Sequence, residues 1–92
     1  MRFVVVQHDE RVGKYLFSVP QSHYLYFGDH VLVKTRNGVQ TGVCACDSFA
    51  VEDRDVENVC KMYGTQPSKM MPVIGTVCFQ YWETEGEQNG VS

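Results

Sequence analysis

Asp29-His30-Val31-Leu32-Val33-Lys34-Thr35-Arg36-Asn37-Gly38-Val39-Gln40-Thr41-Gly42-Val43-Cys44-Ala45-Cys46 is the stretch on which the fold turns. Asp29 to Thr35 reads as a half-buried strand, with Val31 and Val33 on one face and His30, Leu32 and Lys34 on the other. Arg36-Asn37-Gly38 interrupts it with turn residues, and a second strand runs on to Cys46. Two registers fit this hairpin. A two-residue Asn37-Gly38 turn pairs Thr35 with Gln40 and Val31 with Cys44. A three-residue loop, with Gly38 in the left-handed region, pairs Thr35 with Val39 and Val31 with Val43. A slip of one residue sends every side chain to the other face, so the better apolar match is the criterion. The three-residue loop gathers Val31, Val33, Thr41, Val43 and Ala45 on one face and is the expected register. Cys44 and Cys46 then share the other face with His30, Leu32 and Lys34.

Before the hairpin, Arg2 to His8 is rich in β-branched residues and reads as a strand. A polar turn, Asp9 to Gly13, leads to a second strand, Lys14 to Val19, which Pro20 ends because proline cannot donate to a ladder. The connection Pro20-Gln21-Ser22-His23-Tyr24-Leu25-Tyr26-Phe27-Gly28 is unusually aromatic for a loop. Its apolar side chains either cover the end of the sheet or form an exposed contact patch, and covering is the commoner outcome.

After the hairpin, Asp53 to Tyr63 has helical periodicity, with Val56, Val59, Cys60 and Tyr63 on one stripe. Asp53 suits the N-cap, and Gly64 suits the stop. So short a helix must pack its stripe on the sheet. Pro72 opens a last strand, Val73 to Trp82, in which Gly75 suggests a bend or bulge. The expected fold is mainly β: a small five-stranded antiparallel, partly open barrel of SH3-like or OB-like type. One short α-helix caps an end between strands 4 and 5. Residues 1–82 make a single domain, and residues 83–92 an acidic tail.

Ninety-two residues permit one core, and the 43% hydrophobic content is that of an ordinary globular domain. No apolar run approaches a membrane span. Met1 to His8 has one positive charge and too short an apolar run for a secretory leader, so a reducing, cytoplasmic location is expected. The net charge of −3 excludes a uniformly basic nucleic-acid coat. It is unevenly spread. Residues 1–46 hold five basic and three acidic residues, or +2, and residues 47–92 hold three basic and eight acidic, or −5.

Catalytic signatures are lacking. There is no G-x-S-x-G, no phosphate-binding glycine loop and no H-E-x-x-H. A Cys44–His30 pair on one face of the hairpin is the nearest approach to a nucleophile and base. Asp53, Asp55 and Glu57 suit a helix N-terminus better than a carboxylate site. Cys44 and Cys46, two apart on a strand, can reach one metal, with Cys60 and Cys78 converging from elsewhere. The spacing is not that of zinc pairs, and buried thiols are the simpler reading. No enzyme, cofactor or metal is expected.

Tyr15-x-Phe17-x-Val19-Pro20, Gly28-Asp29-x-Val31-x-Val33 and Gly38-x-x-x-Gly42-Val43 form a pattern over residues 14–43. It resembles the start of the amino-terminal DNA-binding module of primosomal replication-restart helicases, and a similar pattern occurs in PSP1-type bacterial proteins. The resemblance implies a small barrel and binding to a nucleic-acid end or single strand. The chain departs from it in having no helicase portion, in keeping only Lys34 and Arg36 near the hairpin turn, and in its acidic second half.

Two functions follow as expectations. The first is a non-enzymatic binding module that engages a larger protein through its aromatic loop and hairpin surface, as a cellular accessory or a phage or mobile-element inhibitor would. The second is a nucleic-acid-binding module in replication or repair, with bases stacked on aromatics and phosphates met by cations. Both use Tyr24, Tyr26, Phe27, His30, Lys34, Arg36, Asn37, Arg11 and Lys14. An exposed sheet face with Leu32, Ile74 and Trp82 would also serve a homodimer.

Overall fold

The computed structural model describes residues 1–8 and 13–77. Arg11, most of the first turn, the end of the last expected strand and the acidic tail lie outside the described residues. The strands are β1 (Arg2–His8), β2 (Lys14–Val19), β3 (His30–Thr35), β4 (Gly38–Cys44), the two-residue β5 (Phe49–Ala50) and β6 (Val73–Thr76). A helical turn, Asp53–Asp55, runs into helix α1 (Val56–Met62). All strand pairings between these elements are antiparallel, in the order β2-β1-β4-β3-β6, with β5 beside the start of β1. The sheet curls until its edges touch: Ser18 N–H donates to Met71 C=O at 3.0 Å, beside a single parallel bridge from Ser18 to Pro72. The result is the expected partly open barrel with one short helix.

β1 is buried on both faces, which is why Phe3-Val4-Val5-Val6 is continuously apolar. Val4 and Val6 point inward with Phe17, Val19, Val31, Val33, Cys44 and Val73. Phe3 and Val5 point outward, join Leu16, and receive Val56 and Cys60 of α1. The helix therefore lies on the outer wall of β1 and β2 rather than across the barrel's end. The reason is in β1 itself, whose second apolar face needs a cover. No side-chain cap forms at the helix start, so Asp53 is not the N-cap; it lies in the preceding helical turn. The C-terminus ends as expected: Gly64 N–H donates to Lys61 C=O and Thr65 N–H to Cys60 C=O.

The hairpin takes neither expected register. Thr35 pairs with Gly38, Lys34 with Val39 and Val31 with Gly42, around a two-residue Arg36-Asn37 turn. Gly38 follows that turn at φ +104°, as expected of the residue in the left-handed region. Val31, Val33, Gln40, Gly42 and Cys44 thus share the inner face, and His30, Leu32, Thr41 and Val43 the outer. The deciding contact is non-local. β4 also pairs with β1, Val6 with Cys44 and His8 with Gly42. There a Cβ on residue 42 would stand 2.6 Å from Val6 Cγ1 and 2.7 Å from the Gln7 carbonyl oxygen. Only glycine fits where the two strands cross, and Cys44 fills the core beyond it. The expected bulge in the last strand is present: Leu32 pairs with Gly75 but Val33 with Val73, leaving Ile74 as the extra residue.

Candidate functional site

The hairpin gives the barrel two distinct ends. At one, β3 begins beside the end of β4, and the loop 20–29 arrives from Val19. At the other stands the Arg36-Asn37 turn, about 20 Å away for six residues of extended chain.

The first end carries the aromatic loop. Leu25 is fully buried and plugs the barrel, so the covering role falls to one side chain. Tyr24, Tyr26 and Phe27 stay in solvent at 49, 59 and 73% exposure. Their display is not looseness of the backbone. Leu25 N–H donates to the buried Ser48 Oγ (3.1 Å), and Ser48 N–H returns a bond to Leu25 C=O (2.8 Å). Tyr26 N–H donates to Asp29 Oδ2 (2.9 Å) and Phe27 N–H to Asp47 Oδ1 (2.8 Å). Gly28 N–H reaches Cys44 C=O, and Asp29 N–H reaches Tyr26 C=O. Every backbone donor from Leu25 to Asp29 is therefore engaged. The Tyr24 and Tyr26 ring centroids lie 4.8 Å apart, tilted by 52°, and the Arg2 guanidinium sits 5.4 Å over the Tyr24 ring. Ser48, Asp47 and Arg2 carry no periodic or motif signal, so sequence reasoning missed them.

The opposite end carries a cleft of about 670 Å³, open to solvent. Its lining comes from four separate segments: His8; Tyr15, Leu16 and Phe17; Thr35, Arg36 and Asn37; and the stretch after α1 with Tyr63, Thr65, Lys69 and Met71. Arg36 and Lys69 are cationic, and among the described residues no carboxylate lines the cleft. His8 is buried, with its ring edge-on to Tyr15 at 5.2 Å and Phe17 at 5.6 Å.

The nine residues expected to bind are thus divided. Tyr24, Tyr26 and Phe27 stand together. Arg36 and Asn37 stand at the cleft. Lys34 is exposed on β3 near the turn, and Lys14 is exposed at the start of β2. His30 is exposed on the outer face, near the aromatic end. The expected union of aromatic loop and hairpin tip into one patch is not formed, because the tip is the far end of the hairpin that the loop enters. The Cys44–His30 pair also fails, since the observed register puts Cys44 inside and His30 outside. Cys44 and Cys60 lie in separate apolar clusters, on opposite sides of the β1 wall. Burial, with Asp29 and Cys46 adding to it, pushes the Cys44 thiol up to about 12, and burial with nearby Glu57 raises Cys60. Both are protonated packing groups at neutral pH. Leu32 and Ile74 are half-buried on their strands, and Trp82 lies outside the described residues.

No protein-family model, curated protein or solved structure matches the chain. The resemblance over residues 14–43 accordingly rests on those residues alone. Among the described residues, no helix is long and apolar enough to cross a membrane.

Proposed function

We propose that this protein is a binding module whose working surface is the aromatic loop, and that its partner is another protein. The observation that carries this reading is the combination of exposure and restraint at Tyr24, Tyr26 and Phe27. Aromatic side chains on a backbone already held in place lose little entropy on binding, and they supply large contact area. Three such residues around one buried anchor have the make-up of an interface centre. Solvation alone gives no reason to display them.

Charge favours protein over nucleic acid at this surface. A base-stacking loop needs cations beside its rings to meet phosphates. Here two carboxylates, Asp29 and Asp47, brace the loop against one cation, Arg2 over the Tyr24 ring, while Lys14, Lys34 and Arg36 gather toward the opposite end. The fitting experiment is capture from a native lysate with the immobilised chain, with and without nuclease, using Phe27→Ser and Arg36→Ala in parallel. The reading expects the same protein retained after nuclease, lost with Phe27→Ser and kept with Arg36→Ala. Retention that nuclease abolishes, or that Arg36→Ala abolishes and Phe27→Ser spares, contradicts it.

A further inference from the structure

The cleft at the turn end has a feature that neither its charge nor its tyrosines explain: it contains an open strand edge. β2 bonds to β1 on one side only. In an antiparallel pair, the N–H and C=O of alternate residues point to the same neighbour. Ser18 N–H points away from β1, because it reaches Met71. Leu16, two residues earlier, therefore also turns its N–H and C=O outward. Among the described residues β2 meets β6's side only at the single Ser18–Pro72 bridge, so nothing pairs Leu16 on that side. The cleft is lined by the inward Tyr15 and Phe17, the outward Leu16, and Lys69 and Met71 across the gap. It is the seam of the half-barrel, left open below Ser18.

We propose that this seam receives an extended acidic polypeptide segment, which adds a strand to β2 and carries carboxylates to Arg36 and Lys69. An unpaired edge is a template for backbone pairing. Edges are ordinarily blunted by covering or by charge placed on the strand itself; here β2 carries one cation, Lys14, at its start, and Arg36 and Lys69 stand around the edge at Leu16. Two cations, with no carboxylate among the described lining residues, select negative side chains, and two residues of spacing along a strand put successive carboxylates on one side. A nucleic acid would satisfy Arg36 and Lys69 but has no amide ladder to offer Leu16. The seam is therefore a second binding surface, at the far end of the barrel from the aromatic loop and independent of it.

The test uses the full chain, isotope-labelled, and the peptide acetyl-Glu-Thr-Glu-Thr-Glu-amide. Alongside it runs the same peptide with alternate backbone nitrogens methylated, and a short oligo-dT. The proposal expects the unmethylated peptide to shift the Leu16 amide resonance and to slow its hydrogen exchange. Methylation should remove the binding, and Arg36→Ala with Lys69→Ala should weaken it about tenfold, as two partly exposed ion pairs would. Equal binding of the methylated peptide overturns the proposal. So does the absence of shifts at Leu16 at peptide concentrations of about 1 mM, or occupation of the same residues by oligo-dT while the peptide fails to bind.

Discussion

At the scale of the residue, Gly42 sets the inner face of the hairpin. The strand crossing at β1 leaves no room for a Cβ, with Val6 and the Gln7 carbonyl already in contact distance. Gly42→Ala should lose about 2 kcal/mol or more of unfolding free energy by denaturant titration, the usual cost of overfilling a packed site. A variant as stable as the parent would refute the register. Cys44 supports a second prediction. Its thiol is raised from 9.0 to about 12 in the folded chain, so above pH 9 the unfolded state gives up its proton while the folded state keeps it. Stability from this group is complete below pH 9 and is lost as pH rises toward 12, at up to about 1.4 kcal/mol per unit. Unfolding curves of the parent and of Cys44→Ala should therefore converge across that window, and parallel curves would contradict the burial. Neither residue announces its role in the chain. Gly42 reads as a weak strand position and Cys44 as a ligand candidate until β1 is laid beside them.

At the scale of the element, what was legible was whatever repeats locally. β1, β2, the two hairpin strands, the stripe of α1 and the bulge at Gly75 all follow from periodicity, β-branched content or proline and glycine placement. The register and the seat of the helix were not legible, because each depends on a partner far along the chain. β4 obeys β1 rather than its own apolar count, and α1 answers an outward face of β1 that alternation alone does not reveal. The loop 20–29 has no period, so composition could not separate its one anchor from its displayed rings. That separation is measurable. Leu25→Ala should cost about 2–5 kcal/mol, as for other fully buried leucines. Phe27→Ser, at a surface position, should stay within about 0.5 kcal/mol of the parent. If the two losses are alike, Phe27 is core and the loop is not a display.

At the scale of the molecule, the half-barrel has chemically different ends. One end presents tyrosines and a phenylalanine beside Asp29 and Asp47. The other opens a seam between Arg36 and Lys69. The division of charge between the ends does not follow the division along the chain, since Asp29 of the first half braces the loop with Asp47, Arg2 of the first half stacks on Tyr24, and Lys69 of the second half stands at the seam. The candidate site was half legible for the same reason. The aromatic residues were visible as an anomaly of composition, while the cleft is assembled from four segments that only the closed sheet brings together. The central claim is that the loop is a prebuilt protein-binding surface. Its most direct test is one variant, Tyr24→Ser with Tyr26→Ser and Phe27→Ser, measured both for unfolding free energy and for affinity to the protein that the parent captures. The account predicts stability within about 1.5 kcal/mol of the parent, three surface changes together, with affinity down at least about a hundredfold. A variant that unfolds, or one that folds and binds as the parent does, would contradict it.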